Sequence, residues 1–317
     1  MDMSRKNKKK LSTPVKWLLI IVGILLLIAI IFIGYLAIQL FGLNNSINSP
    51  LDREKSDLRN ESVKKDGTAI SIALFGIDSD EVRKAEGGGE RSDSIILLSI
   101  NPDKKKTVMV SIPRDTRADI VGHDSVEKIN HAYAYGGPNM AVKSIEKLMN
   151  VPVDHYATIN MDGIEELINH VDGVDVKSNA TFSYKGYDFE KNEKYHMKGK
   201  EARTFMTSRK QDGAGGDFGR QARQQLVLQA LVNKLVSVNS IPKINGIVDA
   251  LGDNVKTDLS ITDLNDLRQN YEPAKKNVEK LQLEGDNQML DDGLFYFLPD
   301  EANKKKIEKI YRDNLGI

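Results

Sequence analysis

Residues 91–116, RSDSIILLSINPDKKKTVMVSIPRDT, alternate between apolar and polar blocks in a way that fixes where four charges meet. Residues 95–100 are an apolar run, residues 101–106 a polar turn opening on Asn-Pro, and residues 107–112 a second β-rich run. The pattern predicts an antiparallel hairpin. In such a pair the sum of facing positions is constant, so Ile95 opposite Ile112 sets Asp93 opposite Arg114. One sheet edge then carries Arg91, Asp93, Arg114 and Asp115. Upstream, residues 69–75 form another apolar run that ends at Gly76-Ile77-Asp78, followed by a loop over residues 79–90 containing three consecutive glycines. If that strand runs parallel to residues 107–112, Asp78 joins the same edge, the one that ligands of α/β sheets prefer.

Beyond the hairpin the apolar spacing changes to helical. Residues 125–135 and 138–149 read as helices, with Pro138 suited to a first turn and Val142, Ile145, Leu148 and Met149 on one face. A strand at 154–160, a helix at 162–171 and a turn at Asp172-Gly173 into residues 174–176 follow. Residues 184–196 are an aromatic, polar insertion without a clear period. A helix at 201–209, a glycine loop at 213–216 and a helix at 218–238 with Asp217 as N-cap come next. The remainder reads as a helix at 261–271, a strand at 278–284, a hairpin at 290–298 and a helix at 300–314. Strands interleaved with helices predict one α/β domain over residues 68–317, with no internal repeat.

Residues 17–41 contain no charge across 25 positions, and as a helix they would span roughly 38 Å, enough to cross a ~30 Å hydrocarbon core. Residues 1–16 carry six cations against Asp2, a net of +5, so this tail is expected in the cytoplasm and the rest of the chain outside. The apolar stretch is too long for a cleaved signal and lacks a small-residue cleavage site. The expected order is a basic tail (1–16), a transmembrane signal anchor (17–41), a polar linker (42–67) and the large domain. With formal charge zero over 317 residues, the part beyond residue 51 totals −5, which argues against nucleic acid as partner. The chain has no cysteine, which removes disulfides and thiolate metal sites.

Charges of both signs at one strand edge suit a structural ion pair and equally a phosphate site, where carboxylates hold a cation and guanidinium forks grip oxygens. A second stretch, residues 209–225 (RKQDGAGGDFGRQARQQ), bears on the choice. In a helix starting near Phe218, Arg220, Arg223 and Gln224 share a face in the first two turns. Cations there oppose the helix dipole, and a bound anion would reverse the balance. Asp217 or Glu201 could also neutralise them. The five histidines show no metal-ligand spacing, and only His131 has acid–base appeal. Walker A, nucleophile-elbow and dinucleotide signatures are absent from the sequence.

Taken as a set, residues 75–78, 91–93, SIPRD at 111–115, KINHA at 128–132, 153–156 with 162–176, and GDFGRQARQQ at 216–225 resemble the LytR–CpsA–Psr family of Gram-positive envelopes. The resemblance covers residue 69 to the C-terminus, plus the anchor. It implies an extracellular α-β-α domain with a mixed central sheet flanked by helices, on a single-pass cell-membrane protein. It also implies phosphoryl transfer of an anionic glycopolymer, such as teichoic acid, from an undecaprenyl pyrophosphate donor to peptidoglycan. By motif position, Asp78 and Asp93 would hold Mg²⁺ or Mn²⁺, and Arg91, Arg114, Lys128, Arg209, Arg220, Arg223 and Gln224 would clamp the pyrophosphate. Asp93, Arg114, Arg209 and Arg220 would carry the catalysis. The family often shows R-x-R where this chain has Thr207-Ser208-Arg209. Other readings are a pyrophosphatase, a non-catalytic binder of polyprenyl phosphate or wall polymer, and an envelope-related transcriptional attenuator. Sixteen residues before the apolar segment are too few for a helix-turn-helix domain, which disfavours the last.

Overall fold

The hairpin at the centre of the sequence forms in the expected register. In a computed structural model that describes residues 47–78, 90–237 and 254–317, Ile95 faces Ile112 and Asn101 faces Lys106. The expected basic tail and membrane segment, and the loop over residues 79–89, lie outside the described residues. Among the described residues no helix is long and apolar enough to cross a membrane.

The elements follow in chain order: β1 (Ile70–Asp78), β2 (Arg91–Asn101), β3 (Lys106–Ile112), β4 (Arg117–Ile120), β5 (Ser125–Lys128), α1 (Asn130–Met149), β6 (His155–Asn160), α2 (Met161–His170), β7 (Val174–Lys177), β8 (Phe182–Tyr184), β9 (Tyr187–Phe189), β10 (Lys194–Met197), α3 (Gly199–Thr207), α4 (Gly216–Ser237), β11 (Val255–Thr257), α5 (Ile261–Asn270), a 3₁₀ turn (Glu272–Lys276), β12 (Asn277–Gln282), β13 (Gly285–Met289), β14 (Phe295–Pro299) and α6 (Glu301–Leu315). The main sheet has the order β11-β6-β1-β2-β3-β12. β1 runs parallel to β6 and β3 parallel to β12, while β2 and β11 run against their neighbours. The sheet is mixed, and the carboxyl ends of β1, β3, β6 and β12 share one edge with the amino end of β2.

Alternation along the strands makes this sheet the middle of three layers. Phe75, Ile95, Leu97, Val108 and Val110 pack with Val142, Ile145 and Met149 of α1 and with Ile307 and Tyr311 of α6. Ile96 and Met109 point to the other face, against Ile164 and Leu167 of α2, Phe205 of α3 and Val227 and Leu231 of α4. A strand shifted by one residue would exchange these faces, so burial on both sides holds the register.

Three expectations change. The helix expected over residues 125–135 is split: Ser125–Lys128 pairs with Arg117–Ile120, and the helix begins at Asn130. The turn between those strands takes positive φ at Gly122 and Asp124, which closes a hairpin that the helical apolar count cannot register. The aromatic insertion resolves into the β8–β9 hairpin and β10, which pairs with β7. The late hairpin starts earlier than expected, with β13 at Gly285. The helix α1 is interrupted at Gly136 and Gly137, and Pro138 opens its second segment.

Residues 47–67 lack long regular elements yet are tied to the domain. Arg53 forks onto Glu146 at 2.6 and 3.0 Å and donates to the Val153 carbonyl at 2.7 Å. Arg59 bonds both oxygens of Asp154 at 3.0 and 2.7 Å, and Ser56 Oγ donates to Glu146 at 2.5 Å.

Candidate active site

At the carboxyl edge of the sheet the β1–β2 register slips. Gly76 pairs with Ser94 but Ile77 pairs with Ser92, leaving Asp93 as the extra residue of a β-bulge. A bulge bends its strand and re-aims the side chain it carries. Gly76 allows the close approach, since a Cβ there would stand 3.0 Å from the Cβ of Ser94.

From Asp93 a line of alternating charges runs across three elements. Asp93 Oδ1 is 3.0 Å from Arg114 Nη1, Arg114 Nε is 3.5 Å from Asp115 Oδ2, and Asp115 Oδ1 is 3.2 Å from Lys128 Nζ. Lys128 also stands 5.9 Å from the centre of the Tyr296 ring. The backbone of this turn is anchored from both sides. Asn130 N–H donates to the Arg114 carbonyl at 3.2 Å, and Phe297 N–H donates to the Asp115 carbonyl at 2.9 Å. Arg91 faces Asp78 in the register, and its charge reaches Tyr135.

Beside Lys128, Glu127 gathers a polar network. Its Oε2 lies 2.8 Å from His131 Nδ1 and accepts from the Tyr135 hydroxyl at 2.8 Å. The His131 hydrogen bond holds the Glu127 carboxyl down to about 2, against an opposing effect of burial. His123 stacks on Tyr135 with ring centres 4.0 Å apart.

The second cluster lies where α3 ends and α4 begins. Arg223 is fully buried, and its guanidinium donates to three carbonyls: Phe205 at 3.0 Å, Ala214 at 2.9 Å and Ser208 at 2.7 Å. It also lies 4.8 Å from the centre of the Phe182 ring. Burial, and then the charge of Arg220, push it down to about 10. Its fork thus ties the end of α3 to the loop bearing Arg209, and the structure turns it toward carbonyls of its own chain. Arg220 and Gln224 are buried on the same helix. Gly219 lets α4 approach that loop, because a Cβ there would fall 2.1 Å from the Ala214 carbonyl oxygen. Arg209 N–H donates to Gln211 Oε1 at 2.7 Å, and the Thr207 hydroxyl donates to the Arg203 carbonyl at 2.8 Å within its own helix. Phe218, in the first turn of α4, meets Phe297 edge-on at 5.7 Å. Through Phe297 the two clusters become neighbours.

Polar atoms at this edge are buried without hydrogen bonds: Ser92 Oγ, Asn130 Oδ1, Gln224 Oε1 and Gln282 Nε2, while the buried Asp93 Oδ1 is held by its ion pair with Arg114. They come from β2, the start of α1, α4 and the end of β12. Buried polar groups are nearly always satisfied, so such a concentration marks a place built for a polar ligand. Two carboxylates expected to hold a cation belong to this edge. Asp78 and Asp93 lie on neighbouring strands at one edge, and the buried Asp93 Oδ1 is shared with Arg114. Among the described residues no group of three or more potential ligands assembles. Two carboxylates with the remaining positions left to water and phosphate is the usual habit of Mg²⁺.

Sequence reasoning named the charges and His131 but not Gln282, Glu127 or the docking of β14 on Asp115. Ser92 and Asn130 lay within quoted motifs without a role. Only the pairing of distant segments brings these groups together.

The chain is similar to known proteins over most of its length. A polyisoprenyl-teichoic acid–peptidoglycan teichoic acid transferase, TagU, from Halalkalibacterium halodurans is 39% identical over 291 residues, covering 89% of this chain and 93% of that protein. A protein of the same name from Enterococcus faecalis is 35% identical, covering 94% and 96%. A solved structure of TagT bound to LIIa-WTA superposes with a TM-score of 0.71 at 29% identity, covering 85% of this chain and 100% of that one. The model of the LytR_cpsA_psr family matches residues 35–313, and the chain belongs to that family.

Proposed function

We propose that this chain transfers a teichoic-acid-type anionic glycopolymer from an undecaprenyl pyrophosphate donor to peptidoglycan. The observation that carries the reading is the set of buried, unsatisfied polar atoms beside the Asp93–Arg114–Asp115–Lys128 line. The cations of that line and the donors Ser92 Oγ and Gln282 Nε2 suit pyrophosphate oxygens, while the Asn130 and Gln224 oxygens are acceptors that suit a hydroxyl donor. In the reaction the muramic acid 6-hydroxyl oxygen attacks the polymer-side phosphorus. The bond from that phosphorus to the bridging oxygen breaks, undecaprenyl phosphate leaves with the electron pair, and the hydroxyl proton passes to a base.

Phosphoryl transfer asks chiefly for positioning and charge stabilisation. Arg114, Arg209 and Arg220 stabilise charge on the transferring group, and Arg91, Lys128 and Gln224 hold its oxygens. Arg223 acts through the carbonyls it grips, setting the loop that carries Arg209. Asp78 and Asp93 would hold Mg²⁺ or Mn²⁺, which when bound neutralises phosphoryl charge. Asp93 assists deprotonation of the acceptor. The charge-free stretch 17–41 behind a +5 tail supports a single-pass membrane anchor with this domain outside the cell.

The test is to give the full chain a labelled lipid-linked donor together with peptidoglycan oligomers. Joined product is expected. Free phosphorylated polymer would make the chain a pyrophosphatase, and an unchanged donor would make it a binding protein.

A further inference from the structure

The β13–β14 hairpin stands directly on the candidate site. Phe297 N–H bonds Asp115, Lys128 sits over Tyr296, and Phe218 of α4 touches Phe297. Strand alternation places Phe295 on the same face as Phe297, and Met289 is the cross-strand partner of Phe295. Phe297 itself is buried and rests on Phe218, so the exposed apolar strip is Phe295 with Met289 at the outer end of the hairpin. Phe295 is 57% exposed and Met289 59% exposed, the most open of the large apolar side chains described. Exposed apolar surface on a hairpin anchored to a reactive edge marks a contact surface.

Three occupants compete for this strip: a bilayer, the polyanionic donor polymer and the acceptor. Residues 284–300 carry Glu284, Asp286, Asp291, Asp292 and Asp300 and no lysine or arginine. Two of these, Asp291 and Asp292, occupy the exposed turn at the tip. Carboxylates at the tip oppose insertion into a bilayer and repel a polymer of phosphodiesters. Neutral N-acetylated sugar rings meet neither objection. Their C–H faces suit an aromatic and thioether surface, and their hydroxyls and amides suit the exposed carboxylates and the side chains of Asn287 and Gln288.

We propose that Phe295 and Met289, the exposed outer end of the β13–β14 hairpin, bind the glycan strand of the peptidoglycan acceptor and align it toward Asp115 and Arg114. The assignment rests on the transferase reading for the acceptor's identity.

The full chain in detergent, and its Phe295→Ser and Met289→Ser variants, are titrated with N-acetylglucosamine oligomers. The parent chain binds, and each variant weakens binding by about tenfold. The acceptor concentration giving half-maximal transfer rises in parallel, while affinity for a polyprenyl pyrophosphate analogue stays constant. Equal glycan affinities, or no glycan binding by the parent, overturn the proposal. A drop in analogue affinity instead assigns the strip to the donor and overturns it too. Because the chain has no cysteine, a spin label on Asp291→Cys, at the tip beside the strip, reports this surface alone. In phosphatidylglycerol vesicles the label is expected to be immobilised by added oligomers. Immobilisation by the bilayer without them would assign the strip to the membrane. If the oligomers bind as described but no joined product forms, this inference stands and the transferase reading falls.

Discussion

Arg114 has carboxylates on two sides, Asp93 at 3.0 Å and Asp115 at 3.5 Å, and both lie outside the core. Its guanidinium is held in place by charge rather than by packing, so its removal should spare the fold. Arg114→Ala is expected to lower the transfer rate on the order of a hundredfold or more, with little change in melting temperature. A near-normal rate in the assay would give Arg114 a structural part alone. Glu127 provides a second test at this scale. Its carboxyl is lowered from 4.5 to about 2, mainly by the His131 hydrogen bond. A depressed carboxyl stabilises the fold fully above its unfolded value, and the contribution is lost as pH falls from about 4.5 toward 2. Glu127→Gln should therefore be less stable than the parent in urea at pH 7, and the gap should narrow below about pH 4.5 and close near pH 2. A gap that persists in acid would mean that the network stabilises by geometry and not by charge.

At the scale of elements, α3, the loop after it and α4 are joined at one point. Arg223 donates to carbonyls at 3.0, 2.9 and 2.7 Å on three of their residues. An unpaired carbonyl left in that interior would be costly, and a lysine cannot reproduce the planar fork. Arg223→Lys is expected to destabilise the protein by about 2–4 kcal/mol and to weaken pyrophosphate binding through displacement of Arg209. Denaturant unfolding and a titration with a polyprenyl pyrophosphate analogue measure the two effects. Loss of binding at unchanged stability would instead place Arg223 in direct contact with the ligand.

For the whole molecule, the ion pairs of residues 47–67 matter more than their irregular backbone suggests. Arg59 and Asp154 retain only 8% and 5% of their side-chain exposure, and Arg53 and Glu146 are similarly covered. Removing one partner strands a buried charge. Arg59→Ala should cost about 3–5 kcal/mol, measurable by urea unfolding, and a loss below about 1 kcal/mol would mean that water reaches Asp154. The proposed orientation can be checked on cells. Protease added to intact protoplasts should digest the chain beyond residue 45, and protection would defeat the envelope assignment.

The sequence by itself determined the hairpin register, the meeting of Asp93 with Arg114, the layered α/β class and the helical stretch with Arg220, Arg223 and Gln224. Each is a local matter, because period-2 and helical spacing are written in consecutive residues and antiparallel pairing follows arithmetic from one fixed pair. Tertiary structure decided the rest. The bulge at Asp93 depends on how β1 meets β2, and residues 125–128 become a strand because Arg117–Ile120 is available as a partner. Arg223 faces its own carbonyls because α3 and the loop close around it. Gln282 and Phe297 reach the site across more than 160 residues, through pairing with β3 and a bond to Asp115. Local spacing carries no information about such distant partners, since burial and hydrogen bonding in the assembled layers choose among many compatible arrangements.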